Sequence, residues 1–162
     1  MRILGIDPGY GIVGYGIIEG GYQPKMIDYG VISTPKELTL PERLEIIFSS
    51  IETLIASYNP EVIAIEELFY FRNQTTIIPV AEARGVIILA CKKNNIPIFE
   101  YTPLQIKQAL TGIGRADKSQ VQFMVKTVLG LESIPKPDDA ADALAVAICH
   151  AQINPNLNNN MV

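Results

Sequence analysis

The chain has 162 residues, of which 48% are hydrophobic and 19% are charged, and its formal net charge is −4. This length fits one domain with a sizeable core, and the composition excludes a disordered or fibrous protein. No apolar run approaches the roughly 18 residues of a membrane span, so we expect a cytoplasmic protein. Cys91 and Cys149 lie in apolar stretches and are expected to be buried, reduced thiols.

Basic residues are concentrated in one half of the chain. The negative net charge argues mildly against a nucleic-acid partner, whereas the half between positions 70 and 130 is able to form a basic surface. A solvated set of helix faces explains the same charges equally well. The basic residues in this half are Arg72, Arg84, Lys92, Lys93, Lys107, Arg115, Lys118 and Lys126, and the acids are Glu82, Glu100 and Asp117.

The first predicted element is a strand that ends in a carboxylate. Ile3–Ile6 is apolar and is bounded by Pro8 and Gly9, which predicts a strand buried on both faces. An ionised Asp7 beside an apolar interior is costly unless a cation meets it. The alternative is that Asp7 only accepts hydrogen bonds in the turn.

A hairpin follows the first strand. Ile12–Glu19 and Tyr22–Thr34 predict two strands joined at Gly20 and Gly21, so the chain opens with an antiparallel meander. The stretch from Gly9 to Gly14 formally matches a dinucleotide-binding loop, but a helix must follow such a loop, and the many glycines here exclude one.

A second apolar run, 62–65, follows a predicted helix from Pro41 to Tyr58 and also ends in acids, Glu66 and Glu67. If this strand lies parallel to the first, Asp7 and one glutamate emerge at the same edge of the sheet. Only one glutamate faces the same side as Asp7, because side chains alternate along a strand. The spacing does not decide which one.

Aromatic residues 68–71 come next, beside Arg72. Both core packing and stacking on exposed bases are compatible with this cluster, and Phe69 is its strongest candidate for stacking. Val80–Asn94 predicts a helix whose small residues permit close packing against the sheet or a second subunit. Ile96–Tyr101 predicts another strand.

Two helices joined by a basic corner follow. Thr102 and Pro103 predict the start of a helix that carries Lys107, and Asp117 precedes a second helix with Lys118 near its start. The corner 112–118 contains Arg115 and exposes backbone N–H groups, which suits phosphate binding as well as ordinary solvated side chains.

The last predicted helix begins with Asp138, Asp139 and Asp142. Capping or the helix dipole explains one of the first two acids. It explains Asp142 poorly, because this residue lies beside apolar positions. His150 is about 12 Å of helix rise away and is not expected to join the same site.

One acid from each of two core strands and a pair on one helix face predict a site for divalent cations. Ligation by carboxylates alone favours Mg²⁺ or Mn²⁺ over zinc. Two such ions about 3.5 to 4 Å apart activate a water and stabilise the leaving oxygen of a phosphodiester. The residues therefore indicate a metal-dependent nuclease whose basic half holds the nucleic-acid backbone.

Several motifs, in order and spacing, resemble the bacterial RuvC Holliday-junction resolvases, and the similarity runs from Met1 to about Ala151. These motifs are Gly5-Ile6-Asp7-Pro8-Gly9, Ala64-Ile65-Glu66 followed by Phe69, Ala83-Arg84-Gly85, Gly112-Ile113-Gly114 with Lys118-Ser119-Gln120-Val121, and Asp139-Ala140-Ala141-Asp142-Ala143-Leu144-Ala145. The resemblance implies a ribonuclease H-like α/β fold with a mixed five-stranded sheet flanked by helices. It also implies a homodimer that nicks four-way DNA junctions symmetrically in recombination and repair.

The same resemblance implies the roles of individual residues. It chooses Glu66 over Glu67 and Asp139 over Asp138. It implies Mg²⁺ as the cofactor, two ions in each site with Mn²⁺ as a substitute, and RuvA and RuvB as partners. The implied metal-binding and catalytic acids are Asp7, Glu66, Asp139 and Asp142, and the DNA-contacting residues are Phe69, Lys107 and Lys118, which the basic Arg72 and Arg115 join.

We expect a nuclease domain at 1–152 and a disordered tail at 153–162. Three alternatives stay open from the residues: a YqgF-like nuclease of the same fold acting on RNA, a silent junction-binding module, and an actin-like ATPase with Asp7 in its phosphate loop. The last needs two such domains, and this chain has the length of one.

Overall fold

The computed structural model describes residues 1–68, 75–153 and 160–162. The described residues form one five-stranded sheet in the order β3-β2-β1-β4-β5 and five helices. The strands are β1 (Arg2–Asp7), β2 (Ile12–Glu19), β3 (Lys25–Ser33), β4 (Val62–Glu66) and β5 (Ile98–Tyr101). The helices are α1 (Leu40–Tyr58), α2 (Ile77–Lys93), α3 (Pro103–Thr111), α4 (Lys118–Val128) and α5 (Asp138–Gln152).

The sheet is mixed, as the sequence predicts. The first three strands form the predicted antiparallel meander, and β4 pairs with both β1 and β5 in parallel. Because the run from Gly9 to Gly14 leads into β2, the rejection of a dinucleotide-binding loop is confirmed.

Helices cover both faces of the sheet. Residues of α1 and α2 share one core with the side chains of Leu4 and Ile63, whereas α3, α4 and α5 share the other with Ile3 and Ala64. Strands β1 and β4 are therefore buried on both faces, which explains their uninterrupted apolar sequence. Both cysteines are buried free thiols, as predicted.

Helix α5 lies close against the sheet because small residues line its contact. Ala143 and Ala147 contact β1 at Gly5, where an added Cβ would stand 2.1 Å from the Ala143 carbonyl oxygen. Leu144 is fully buried beside them, and burying a side chain of this size is worth roughly 1.5 to 3 kcal/mol. This contact fixes the height of the first turn of α5 above the sheet.

None of the helices in the described ranges is long and apolar enough to cross a membrane.

The C-terminal residues contact the edge strand of the sheet. Met161 forms an antiparallel bridge with Phe99 in β5, and the Val162 N–H donates to the Ile98 carbonyl (3.0 Å). Residues 154–159 lie outside the described residues. The domain boundary at 152 and the tail stay predictions.

Candidate active site

Two neighbouring strands end in acids that share one cleft. Ile6 of β1 pairs with Ile65 of β4 in parallel register, so the next residues, Asp7 and Glu66, leave the sheet side by side. Both line a cleft of about 270 Å³. The structure thus brings Asp7 together with one of the two glutamates that the strand pattern leaves open, Glu66.

The glutamates of β4 differ in position. Glu66 lines the cleft with Asp7, whereas the backbone of Glu67 extends the pairing with β5 by donating its N–H to the Tyr101 carbonyl (2.9 Å). Glu66 is thus the glutamate of β4 that lines the cleft in the described part of the chain, and its role as a metal ligand stays a prediction.

Helix α5 brings the third acid to the cleft. Pro137 is the N-cap, so Asp138 and Asp139 occupy the first turn instead of the capping position. Asp142 lies one turn further along and lines the cleft. Asp139 is half-buried and is not among the described lining residues, yet its charge raises the pKa of both Asp7 and Asp142.

Two lysines line the same cleft from α3 and α4. Lys107 projects from α3, whose start is fixed by a capping box between Thr102 and Gln105. Lys118 is the first residue of α4, because Asp117 is the N-cap and accepts from the Gln120 N–H. The Lys118 Nζ lies 2.9 Å from Asp142 Oδ2 and 3.6 Å from Asp138 Oδ2.

The acidic side chains of the cleft are close together and partly buried. Burial, followed by the charges of Glu66, Asp142 and Asp139, raises the pKa of Asp7 well above its usual value. Burial also raises the pKa of Asp142, although the hydrogen bond and charge of Lys118 oppose this shift. Burial is the largest cause of both shifts, and a cation bound among these carboxylates would oppose them.

Burial and the neighbouring acids shift the pKa of Lys118 in opposite directions. Burial lowers its pKa, but the hydrogen bond with Asp142 and the charges of Asp142, Asp138 and Asp7 outweigh burial, and the net pKa is raised. At the rim, the Gln122 amide, ahead of the Lys118 charge, lowers the pKa of Asp138. Lys118 therefore remains a cation in front of the acids at neutral pH.

The donor set fits a hard divalent cation by its chemistry. Among the described residues, three carboxylates and no sulfur or imidazole line the cleft, and oxygen ligands are those that Mg²⁺ and Mn²⁺ prefer. In the described part of the chain, however, no three His, Cys, Asp or Glu side chains are already gathered as ligands of one ion. The Lys118 ammonium already contacts Asp142 Oδ2, so a divalent cation bound by this carboxylate would repel the ammonium.

The sequence analysis also made predictions for Arg115, Phe69, Arg72 and His150. Arg115 is exposed at the corner between α3 and α4, outside the set of cleft-lining residues that the structure describes. Phe69 and Arg72 lie outside the described residues. His150 is buried with its Nδ1 2.7 Å from the Tyr101 hydroxyl, so it does not join the acids, as expected.

Sequence reasoning missed the apolar wall of the cleft and the partner of Lys118. Ile106 and Val121 line the cleft beside the charges, but on their helices they are indistinguishable from core positions. The pairing of Lys118 with Asp142 joins two helices, and no local pattern signals it. The i, i+4 spacing of Asp138 and Asp142 is the signal that a single cation contacts both.

Comparison with known proteins shows the family to which the chain belongs. The family model described as "Crossover junction endodeoxyribonuclease RuvC" matches residues 3–150. The chain belongs to the RuvC family. A relative of that name from Caldicellulosiruptor saccharolyticus is 58% identical over 152 residues, covering 93% of this chain and 92% of the relative. Another from Clostridioides difficile is 56% identical over 155 residues, covering 95% and 92%.

Solved structures of junction resolvases have the same fold as this chain. The chain resembles Thermus thermophilus RuvC in complex with a Holliday junction substrate, with a TM-score of 0.89, 34% identity and coverage of 94% of this chain and 93% of that one. The yeast mitochondrial Holliday junction resolvase Ydc2, at 15% identity and a TM-score of 0.65, shares the fold. The predicted ribonuclease H-like fold and the predicted enzyme class, a crossover junction endodeoxyribonuclease, are confirmed.

Proposed function

We propose that this RuvC protein resolves four-way DNA junctions by symmetric paired nicks, using divalent cations held by Asp7, Glu66, Asp139 and Asp142. The observation that carries the proposal is the convergence of Asp7, Glu66 and Asp142 on one cleft with Lys107 and Lys118. Carboxylates supply the metal ligands, and the lysines supply the contacts that a phosphodiester needs. The nuclease domain spans residues 1–152.

The acids are the proposed ligands of the divalent cations. We propose Mg²⁺ as the ion, two in each site, with Mn²⁺ as a substitute; when bound, these ions activate the attacking water and stabilise the leaving oxygen. Asp7 and Glu66 hold their positions because they end buried, paired strands. Asp142 completes the set from α5, and Asp139 adds negative charge beside it.

The lysines orient the DNA. Lys107 and Lys118 line the same cleft from α3 and α4 and hold the scissile phosphate by its charge. The raised pKa of Lys118 keeps its ammonium protonated at neutral pH. Arg115 extends this positive surface at the α3–α4 corner, and we assign Phe69 to stacking on bases and Arg72 to the backbone near the junction centre.

A homodimer provides two such sites. The outward face of α2 exposes Ile78, Ala81, Gly85 and Leu89, with Ile78 68% and Leu89 53% exposed. These residues share one stripe of the helix, and an added Cβ at Gly85 would meet no atom within 4 Å. This shallow, mainly apolar stripe, which also carries the exposed Glu82, suits a two-fold contact, and a two-fold dimer matches the two equivalent strands of a junction.

The cellular setting follows from this activity. Resolution of junctions is a step of homologous recombination and DNA repair, and the junctions are handed over by the branch-migration proteins RuvA and RuvB. The proposed location is the cytoplasm.

The test is a gel assay with labelled four-way junction, linear duplex and RNA–DNA hybrid, each with Mg²⁺ and with EDTA. Paired nicks in the junction alone, and only with the metal, support the proposal. Binding without cutting would indicate a silent module, and cutting of the hybrid would indicate a ribonuclease; either result contradicts it.

A further inference from the structure

The ammonium of Lys118 lies between two carboxylates of α5 that are one helical turn apart. Its Nζ is 2.9 Å from Asp142 Oδ2 and 3.6 Å from Asp138 Oδ2. Asp138 and Asp142 are i and i+4 and share one face of the helix. One cation on α4 thus has two neighbouring positions along α5, an inner one and an outer one.

Only the inner carboxylate belongs to the cleft. Asp142 lines it and its side chain is 27% exposed, whereas Asp138 is 50% exposed and is not among the described lining residues. Asp142 is also an acid that we assign to the metal. Its carboxylate does not bind a divalent cation and the Lys118 ammonium equally well at once, because the two cations repel each other.

The outer carboxylate has a second cationic neighbour. Lys136 Nζ lies 3.6 Å from Asp138 Oδ1, whereas Lys118 contacts Oδ2. Asp138 therefore keeps a cation beside it whether or not Lys118 is close to Asp142.

We propose that Asp138 is a positioning residue, which retains the Lys118 ammonium at the rim of the cleft when a divalent cation takes Asp142. The inference rests on the proposed metal site. Asp138 lies beside the acids assigned to the metal and is itself not one of them. Its role is to prevent the displaced lysine from leaving the phosphate-binding wall.

This role has a thermodynamic signature in metal binding itself. A divalent cation at Asp142 repels the Lys118 ammonium, and Asp138 lowers the cost of moving that ammonium outwards. Loss of Asp138 should therefore weaken metal binding mainly while Lys118 is present. A carboxylate that acted only through its charge would weaken metal binding equally with and without Lys118.

The experiment is calorimetric titration of Mg²⁺, and separately Mn²⁺, into the full chain without DNA. The variants are K118M, D138N and their combination, with D138E as the conservative rescue and K107M as a control that removes an equal charge from the same cleft. Thermal melts without metal establish that each variant is folded, which is expected because Lys118 and Asp138 are half exposed.

We expect D138N to weaken metal binding about fivefold with Lys118 in place, and by less than about twofold in the K118M background, a coupling typical of groups in one network. K118M should bind metal more tightly than K107M, and D138E should bind it like the unchanged chain. A cleavage assay should show D138N lowering kcat even at saturating metal, because the lysine is misplaced.

Equal effects of D138N in both backgrounds would overturn the inference and leave the metal site intact. Tighter binding by K107M than by K118M would also overturn it, because Lys118 would then not compete for Asp142. Absence of metal binding in every variant would contradict the proposed metal site and this inference with it.

Discussion

Gly14 in β2 lies directly against the backbone carbonyl of Asp139 in α5, so that an added Cβ on Gly14 would stand 2.0 Å from the Asp139 oxygen. Gly14 is also paired with Asp7 across the sheet. The absence of a side chain at this one position allows the first turn of α5 to reach the acid at the end of β1. The cleft therefore depends on a glycine that contributes no chemistry.

Gly14→Ala should separate α5 from the sheet and misplace Asp139 and Asp142. The clash is with backbone atoms, which no change of rotamer relieves, and overpacking of this kind costs about 1 to 3 kcal/mol or more. We expect a lower melting temperature and a loss of cleavage that exceeds the loss of folded protein. Gly21→Ala is the matched control, because its Cβ would meet no atom within 4 Å. Equal behaviour of the two variants would contradict this account.

Asp142→Asn should abolish cleavage and leave junction binding intact. The amide keeps the size of the side chain but loses the charge that a divalent cation requires. Even outer partners of a metal site are worth 10- to 100-fold in activity, so the loss should be at least roughly a hundredfold. Cleavage and gel-shift assays measure the two properties separately. Glu132→Gln, in the exposed segment before α5, controls for loss of one acid, and lost binding or folding in Asp142→Asn would make this residue structural.

Asp7→Asn should stabilise the metal-free protein while it removes activity. The pKa of Asp7 is raised by burial and by Glu66, Asp142 and Asp139, which means that its charged form opposes folding at neutral pH. Removing this charge should raise the free energy of unfolding by on the order of 1 kcal/mol, or about 2 to 4 °C in melting temperature. The comparison is made in EDTA at pH 7. A less stable variant would show that the Asp7 carboxylate is satisfied without metal.

Leu89→Glu should dissociate the proposed dimer. Leu89 is half exposed on the outward stripe of α2, and a glutamate there would place like charges near the two-fold axis. Light scattering coupled to size exclusion should show a monomer, and paired nicking should be lost. Phe123→Glu changes a similarly exposed apolar residue on α4, which packs on the opposite face of the sheet, and should remain dimeric. A dimeric Leu89→Glu protein would place the interface elsewhere.

The local patterns predicted most elements and erred only near their ends. Helix α2 begins at Ile77 rather than Val80, because Pro79 lies in the first turn, where its missing N–H costs no hydrogen bond. Strand β5 begins at Ile98 rather than Ile96, because the Ile96 N–H still donates to the Cys91 carbonyl and closes α2. Such choices are made by competing backbone hydrogen bonds, and composition does not reveal them.

Some features of the candidate site were also predictable from the sequence, and others were not. The meeting of Asp7 with a glutamate of β4 was predictable from the sequence because buried parallel strands place their ends at one edge. The contact between Lys118 and Asp142 was not, because it depends on how α4 packs against α5. The choice of Glu66 over Glu67 came from the family resemblance, since alternation along β4 only separates the two.

The buried His150 predicts a pH dependence of stability that is independent of the active site. Burial lowers its pKa below the usual value near 6.5, and its Nδ1 lies 2.7 Å from the Tyr101 hydroxyl. The neutral imidazole is thus the form that the folded protein accommodates. For a folded pKa below the unfolded one, the stabilisation is fully present above about pH 6.5 and is lost as the pH falls towards the folded pKa.

We therefore expect the free energy of unfolding to fall below pH 6.5 by no more than about 1.4 kcal/mol per pH unit from this group. His150→Leu should remove that slope, although loss of the Tyr101 partner lowers stability at pH 7.5. The measurement is denaturant unfolding of both proteins between pH 5 and 7.5. Because the sequence has one histidine, the difference between the two curves isolates His150. Parallel curves across this range would show that His150 is protonated without cost in the folded protein.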